Sequence, residues 1–423
     1  MTVGSVSADI RSRAPDALSL PKDQIRVLLL EGIHESAAEA FGAEGYQSVE
    51  RIGSALDGPE FQERIRDVHM VGIRSRTQLT PEVLAAADRL FAVGCFSVGT
   101  NQVDLGAAAA IGVPVFNAPH ANTRSVAELV IGVTIMLLRD IYRRSGEAHA
   151  GGWLKTAQGS REVRGKTLGI VGYGHIGSQV SVLAEGLGMN VVFHDIVPKL
   201  PLGNAVSAES LADLLARSDV VTIHVPETPL TDRLFDKSAL EGMKRGSHLI
   251  NTSRGTVVDL IALGTQLKAG HLAGAAVDVF PKEPATPTES LETPLQGLPN
   301  VILTPHIGGS TLEAQRNIGS EVARKLAHYS DRGTTTGAVN FPELNLAPHD
   351  VSHRILHIHR NVPGVLRQIN RIFADAGVNI LGQHLQTRGE LGYVVLDVGP
   401  AGSLDLLEEV KGIEGTIRAR ILY

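Results

Sequence analysis

The stretch Lys-Thr-Leu-Gly-Ile-Val-Gly-Tyr-Gly-His-Ile-Gly at residues 166–177 constrains the fold of this chain more than any other. A short apolar strand runs into Gly172-x-Gly174-x-x-Gly177 and then into a helix, whose apolar positions Ile176, Val180, Leu183, Ala184 and Leu187 fall on one face. A turn at Gly188-Met-Asn190 leads to a second strand over residues 191–194, which ends at Asp195. The pattern is the start of a βαβ unit with an acid at the tip of its second strand, and physics assigns each part. The first glycine allows a tight turn, the second lets the backbone approach a pyrophosphate, and the third lets helix pack on strand. The helix N-terminus offers free N–H donors and a positive dipole end. Asp195 accepts hydrogen bonds from a ribose diol and repels a 2′-phosphate, so the expected cofactor is NAD rather than NADP.

More than a third of the chain precedes this fingerprint, and 423 residues suit two or three domains, so the nucleotide domain is not the N-terminal one. The net charge of −6 advertises no nucleic-acid or anionic-membrane partner, and 4% aromatics argue against base-stacking platforms. Cys95 is the one cysteine, which rules out an intrachain disulfide and suits a reducing cytoplasm. Residues 1–22 are polar with no apolar core, so a loose leader is expected rather than a secretory signal. The apolar run over 129–138 is too short to span a bilayer. A cytoplasmic enzyme without a metal is the expectation.

Strands are expected over 25–30, 68–73, 90–93 and 113–116, with a helix capped by Ser36, one opened by Thr80-Pro81 and one over 105–111. Residues 123–142 read as one long helix leading into the nucleotide domain. Further strands are expected over 220–224, 247–251, 273–279 and 301–303, a loop over 281–299, and a returning helix over 311–329. Residues 331–337 and 342–348 read as a linker, and beyond them the order is β-α-β-β-α-β, which is ferredoxin-like. The fold class is therefore α/β, with two doubly wound parallel-sheet domains (Rossmann- or flavodoxin-like) and a small C-terminal ferredoxin-like one.

A nicotinamide enzyme acting on an alcohol needs a base for the hydroxyl proton and a cation for the substrate's anion. His306, in Thr-Pro-His-Ile-Gly-Gly over 304–309, follows a strand, and its free pKa of about 6.5 suits proton shuttling. Glu283, in the preceding loop, would fix the tautomer of His306 and raise its pKa if hydrogen-bonded to it; alone it reads as an exposed carboxylate. Arg254, in Asn-Thr-Ser-Arg-Gly over 251–255, is placed to grip a carboxylate bidentately and polarise a C2 oxygen, against the reading of a surface ion pair. Arg74 and Arg76, at the tip of a first-domain strand, would share one face in extended backbone; facing a cleft they would attract a second anion such as a phosphate, against the reading of a solvated edge. Arg139 is a weaker candidate of the same kind.

Together these motifs resemble the D-isomer-specific 2-hydroxyacid dehydrogenases. The matching runs are residues 172–177, 194–195, 251–255, 276–284 and 304–309, and the resemblance covers about residues 24–335. It implies Arg254, Glu283 and His306 as the catalytic set. It implies NAD contacts at Gly172, Gly174, His175, Ile176, Gly177, Asp195, Thr252, Ser253, Arg254, Asp278, His306, Ile307, Gly308 and Gly309. Residues 74–77, 99–104 and 116–129 look more narrowly like the branch that oxidises D-3-phosphoglycerate to 3-phosphohydroxypyruvate at the entry of L-serine synthesis. That implies substrate contacts at Arg74, Ser75, Arg76 and Arg254, and a homotetramer.

The C-terminal unit resembles an ACT regulatory domain, which implies L-serine as effector, bound between subunits by His359, Asn361 and Asn379. Val362 stands where many relatives carry arginine. The implied organisation is a leader over 1–22, a substrate-binding domain over 23–121 and 311–335, an NAD-binding domain over 122–310, a linker over 336–350 and the ACT domain over 351–423. Two other readings stay open: a dehydrogenase for another D-2-hydroxy acid, including 2-oxoglutarate reduction, and a NAD-sensing corepressor-like binding protein, against which the ACT-like tail argues.

Overall fold

The computed structural model describes residues 20–284, 288–348, 353–399 and 403–422. Apart from residues 20–22, the expected leader lies outside them; Leu20 packs on the core, and Lys22 reaches Asp331 at 2.7 Å. Two compact units emerge, Met1–Ala121 with Gln315–Tyr423, and Asn122–Ala314.

The first unit opens with β1 (Val27–Leu29), α1 (Ser36–Ala43), β2 (Val49–Arg51), α2 (Gly58–Ile65), β3 (Met70–Ile73), α3 (Pro81–Ala85), β4 (Ala92–Cys95), α4 (Leu105–Ala110) and β5 (Val115–Phe116). The strands pair in parallel in the order β2-β1-β3-β4-β5, a doubly wound sheet whose central members are apolar throughout because helices cover both faces. Thr80 caps α3 through its side chain, as its sequence predicts. Ser36 does not cap α1: it is the first helical residue, and its buried hydroxyl donates instead to the Arg316 carbonyl at 2.8 Å. β2 and α2 escape the sequence pattern because β2 is polar and half exposed, and α2 buries only Phe61 and Ile65.

The C-terminal part of this unit holds α11 (Leu312–Arg332, which begins in the second unit), β13 (His353–Arg360), α12 (Val365–Asp375), β14 (Ile380–Arg388), β15 (Leu391–Val398), α13 (Ser403–Lys411) and β16 (Thr416–Leu422). The antiparallel order β14-β15-β13-β16 is ferredoxin-like. Alternation along β13 explains why this sheet is not a separate body. Ile355 packs beneath α12 and α13, whereas Leu356 and Ile358 join Phe41, Phe116 and Tyr329 in one shared core. The Arg420 guanidinium lies 3.9 Å over the Phe91 ring, adding a cation–π contact to that seam.

The segment read as a linker is packed rather than open. Phe341, Leu344 and Leu346 enter the same core, and the Asn340 side chain bonds the backbone of Val113 and Val115.

The second unit contains α5 (Thr123–Leu138), α6 (Ile141–His149), β6 (Thr167–Val171), α7 (His175–Gly186), β7 (Asn190–His194), β8 (Val206–Ser207), α8 (Leu211–Arg217), β9 (Val220–Ile223), α9 (Lys237–Glu241), β10 (His248–Asn251), α10 (Leu260–Lys268), β11 (Gly274–Val277) and β12 (Val301–Leu303). Its sheet is parallel in the order β12-β11-β10-β9-β6-β7-β8. The order reverses between β6 and β9, the switch point outside which ligands of such sheets bind. The long helix expected over 123–142 is two helices, because Asp140 adopts a left-handed φ of 53° and breaks the ladder. Among the described residues no helix is long and apolar enough to cross a membrane.

Candidate active site

All strands of the second sheet run in parallel, so the residues that follow them gather along one edge. After β6, Gly172 turns with φ +91°, and a Cβ there would collide with the His224 carbonyl. A Cβ on Gly177 would collide with the Gly172 carbonyl, so two glycines are dictated by the protein's own packing. Gly174 differs: nothing lies within 4 Å of its would-be Cβ. Its smallness leaves room for something outside the chain. α7 starts here with no side-chain cap and no acid in its first turn, so its leading N–H groups and dipole remain available to an anion. Asp195, at the tip of β7, is held over this turn by the N–H groups of Tyr173 at 2.8 Å and Val197 at 3.1 Å.

Beyond β10, the buried Asn251 folds its loop. Its Oδ1 accepts from the Ser253 N–H and hydroxyl at 3.0 and 2.9 Å, and its amide donates to the Arg254 carbonyl at 3.0 Å. Arg254 is thereby presented half-buried at the edge. A Cβ on Gly255 would overlap the Phe280 carbonyl, so this loop lies directly against the one that carries Glu283. The Thr252 hydroxyl is buried without a partner among the described residues. An orphaned hydroxyl and an open glycine on the same edge fit a dinucleotide with its pyrophosphate at α7.

Asp278, after β11, is only 2% exposed and organises the next loop. Its Oδ1 accepts from the Thr304 hydroxyl at 2.5 Å and the Ile307 N–H at 2.9 Å, its Oδ2 from the Gly308 N–H at 2.9 Å, and its carbonyl from the His306 N–H at 2.8 Å. His306 sits in this loop at φ 53°, a left-handed conformation uncommon for non-glycine residues.

Its Nδ1 faces the Glu283 carboxylate at 2.8 and 3.0 Å, and that carboxylate is braced by the Phe280 N–H at 3.2 Å. The hydrogen bond to Glu283 and its charge raise the His306 pKa, against burial and the Arg254 charge, which lower it. Burial alone would raise the Glu283 carboxyl, but the His306 contact, the Phe280 N–H and Arg254 pull it below its ordinary value. Arg254, Glu283 and His306 are thus one electrostatic group, brought from positions up to 52 residues apart (306 − 254).

Arg139 is not part of it. α5 begins beside the edge that carries His306, where Val126 and Leu129 pack on Gly308, and ends with Leu137 against Gly274, the first residue of β11. A helix of 16 residues spans about 24 Å, so Arg139 follows at the opposite edge of the sheet.

In the first unit, β3 ends at Ile73, and the Arg74–Thr77 loop is curled rather than extended: its consecutive N–H groups all point at the carboxylate of Glu31. Arg74 is half-buried, while Ser75 and Arg76 are exposed. In the C-terminal antiparallel sheet, Asn361 and Asn379 are exposed, and Val362 is half exposed. His359 is 3% exposed with its ring against Gly392. The register pairs His359 with Gly392 but Ile380 with Val398, which pairs with His353. Asn379 therefore lies about 20 Å along the sheet from His359 and Asn361, and one chain alone cannot bring the three together.

Residues 131–308 match the D-isomer specific 2-hydroxyacid dehydrogenase NAD binding domain, and residues 355–418 match an AHAS small subunit-like ACT domain. The D-3-phosphoglycerate dehydrogenase of Haemophilus influenzae is 55% identical over 96% of this chain and 99% of its own length. That of Escherichia coli K12 is 56% identical with the same two coverages. The chain belongs to the D-isomer specific 2-hydroxyacid dehydrogenases. Among solved structures, the D-lactate dehydrogenase of Aquifex aeolicus, complexed with NAD and lactic acid, is 27% identical over 72% of this chain and 95% of its own, with a TM-score of 0.64.

Family motifs lead to His306, Glu283 and Arg254 and give Asp278 as a cofactor contact, but the hold of Asp278 on the His306 loop and of Asn251 on the Arg254 loop is not legible in them. Asn251 and Asp278 act through backbone groups next to the motifs that contain them. Glu31 acts on a loop 43 to 46 residues away. The one local signal was available: like Asp195, Glu31 is an acid at the tip of a buried strand.

Proposed function

We propose that this chain oxidises D-3-phosphoglycerate to 3-phosphohydroxypyruvate with NAD, the step that opens L-serine synthesis. The observation that carries the reading is the His306–Glu283 pair at 2.8 Å within the field of Arg254, on the edge where a dinucleotide fits. The near-full-length identity to D-3-phosphoglycerate dehydrogenases supplies the substrate.

Arg254 holds the substrate carboxylate and C2 oxygen. Arg74 or Arg76, with Ser75, holds the phosphate, since a guanidinium fork matches phosphate oxygens. His306 Nδ1 faces Glu283, which fixes the tautomer and leaves Nε2 as the base for the C2 hydroxyl proton. Glu283 stays ionised and stabilises the imidazolium that forms. Bound NAD would supply the hydride acceptor for C2. Gly172, Gly174, Gly177 and the α7 N-terminus would seat its pyrophosphate, with His175 and Ile176 at the turn. Asp195 would hold its ribose. Thr252, Ser253, Asp278 and residues 307–309 would line the nicotinamide end.

L-Serine inhibits in this reading, bound where two ACT sheets meet. Asn361 and His359 come from one copy and Asn379 from the other, because one chain holds them apart. Val362 removes a positive group, so inhibition is weak. The enzyme is a cytoplasmic homotetramer. Initial rates with NAD and D-3-phosphoglycerate, with and without L-serine, test the whole reading. Turnover that L-serine lowers supports it. A panel in which 2-oxoglutarate or another non-phosphorylated acid outperforms D-3-phosphoglycerate overturns the substrate.

A further inference from the structure

We propose that Glu31 is a positioning residue for the substrate's phosphate: its carboxylate fills an anion nest in the Arg74–Thr77 loop and so presets the guanidinium groups of Arg74 and Arg76. The inference rests on the phosphoglycerate reading above.

Glu31 is 5% exposed and holds a left-handed φ of 61°. Its Oε1 accepts from the N–H groups of Arg74 at 3.1 Å and Thr77 at 2.9 Å, and its Oε2 from those of Ser75 at 3.1 Å and Arg76 at 3.0 Å. Successive amides converging on one point form a concavity that binds anions in many proteins. Here the chain supplies the anion itself. Extended backbone would point alternate N–H groups in opposite directions, so their convergence reflects a loop curled around that carboxylate.

The arrangement is braced on both sides. The Gln102 side-chain amide donates to the Arg74 carbonyl at 2.5 Å. The Glu31 backbone is itself pinned, its N–H donating to Ser54 at 3.0 Å and that of Gly32 to Ile52 at 3.0 Å. Burial would raise the Glu31 carboxyl, but the loop's N–H donors outweigh it and hold the group ionised. With the amides occupied, recognition of a phosphate passes to the side chains. Arg74 Nη1 lies 3.5 Å from the Glu31 carbonyl and Arg76 Nε 3.8 Å from its carboxylate, contacts too loose to consume either charge. A loop shaped before the substrate arrives loses less order on binding.

Glu31→Gln tests this with little change of volume. One acceptor oxygen becomes an NH2 group that faces N–H donors, so part of the nest is lost. The expected result is a KM for D-3-phosphoglycerate raised about 10- to 100-fold, with kcat within about threefold and the KM for NAD unchanged. Amide exchange across residues 74–77, measured in the free protein, should accelerate about tenfold or more. In Glu31→Ala, added acetate should refill the nest and restore much of the lost KM. An unchanged KM with unchanged exchange overturns the proposal. So does a parallel loss of kcat, NAD affinity and thermal stability that acetate does not repair, since that marks a general structural role. Absence of turnover by the wild-type enzyme would instead sink the phosphoglycerate reading, and the exchange measurement would still decide whether Glu31 shapes the loop.

Discussion

The loop at residues 304–309 and the loop at residues 74–77 are both wound on a buried carboxylate, Asp278 in the first and Glu31 in the second. In the first, the left-handed residue is His306, the proposed base, and Glu283 holds its ring as well. In the second, the left-handed residue is the anchor, and the arginines that follow keep their side chains largely free. A proton acceptor must present one nitrogen along one direction, so backbone strain is spent on the functional residue itself. A phosphate needs positive charge over a region, so strain in the anchor and a preset backbone suffice. Damage to the first loop should therefore appear in kcat, and damage to the second in KM for the phosphorylated substrate.

The largest expected effect tests the first half. His306→Gln should lower kcat by about 10²- to 10⁴-fold, the usual range for a general base, while NAD affinity stays near normal. Near-wild-type turnover would remove His306 as the base and the comparison with it. Asp278→Asn comes next. It puts an NH2 donor among the donor groups of Thr304, Ile307 and Gly308, and should lower kcat/KM about 10- to 100-fold, chiefly through kcat. If steady-state kinetics of Asp278→Asn showed only a raised substrate KM, the two loops would not divide the work as argued.

The two loops were not equally legible in the sequence. The residues around His306 carry local marks: a strand before it, glycines after it, and an acid in the neighbouring loop. The βαβ start, both parallel sheets and the ferredoxin-like tail were readable from hydrophobic periodicity for the same reason, since each element shows its own pattern. The Glu31 nest left almost no trace, because its partners are backbone N–H groups, which every residue except proline supplies. The break at Asp140 was hidden by apolar periodicity that continues past it, and α2 by having only two buried positions. The packing of the linker was not legible at Asn340 and Phe341, whose partners in β5 and the ACT sheet lie far away in sequence.

The arginines probe the second half with a smaller effect. Arg74→Ala and Arg76→Ala, made separately, should each raise the KM for D-3-phosphoglycerate about tenfold or more, the value of a charge-assisted contact, with little change in kcat. A 2-hydroxy acid without a phosphate should be used equally well, or equally poorly, by variant and wild type. Equal losses on both kinds of substrate would mean that these residues hold the carboxylate end, and the loop's assignment to phosphate would fail.

The smallest effect concerns what the first loop has and the second lacks, a side-chain partner that tunes a proton. Glu283 raises the His306 pKa through its hydrogen bond and its charge. Oxidation of an alcohol needs the neutral imidazole, so kcat/KM falls as pH drops through that pKa. Replacing Glu283 by glutamine keeps an acceptor for the Nδ1 proton but removes the charge. The folded-state pKa of His306 then drops, and the acidic limb of the profile moves to lower pH. At neutral and higher pH, kcat should fall by about tenfold, because the imidazolium formed in the reaction loses its counter-charge. Part of that deficit should close as the pH is lowered, since the variant keeps its base unprotonated where the wild type does not. A profile of kcat/KM against pH for both proteins measures this. An acidic limb that stays in place, or moves upward, would show that it reports another group and that Glu283 only orients the ring.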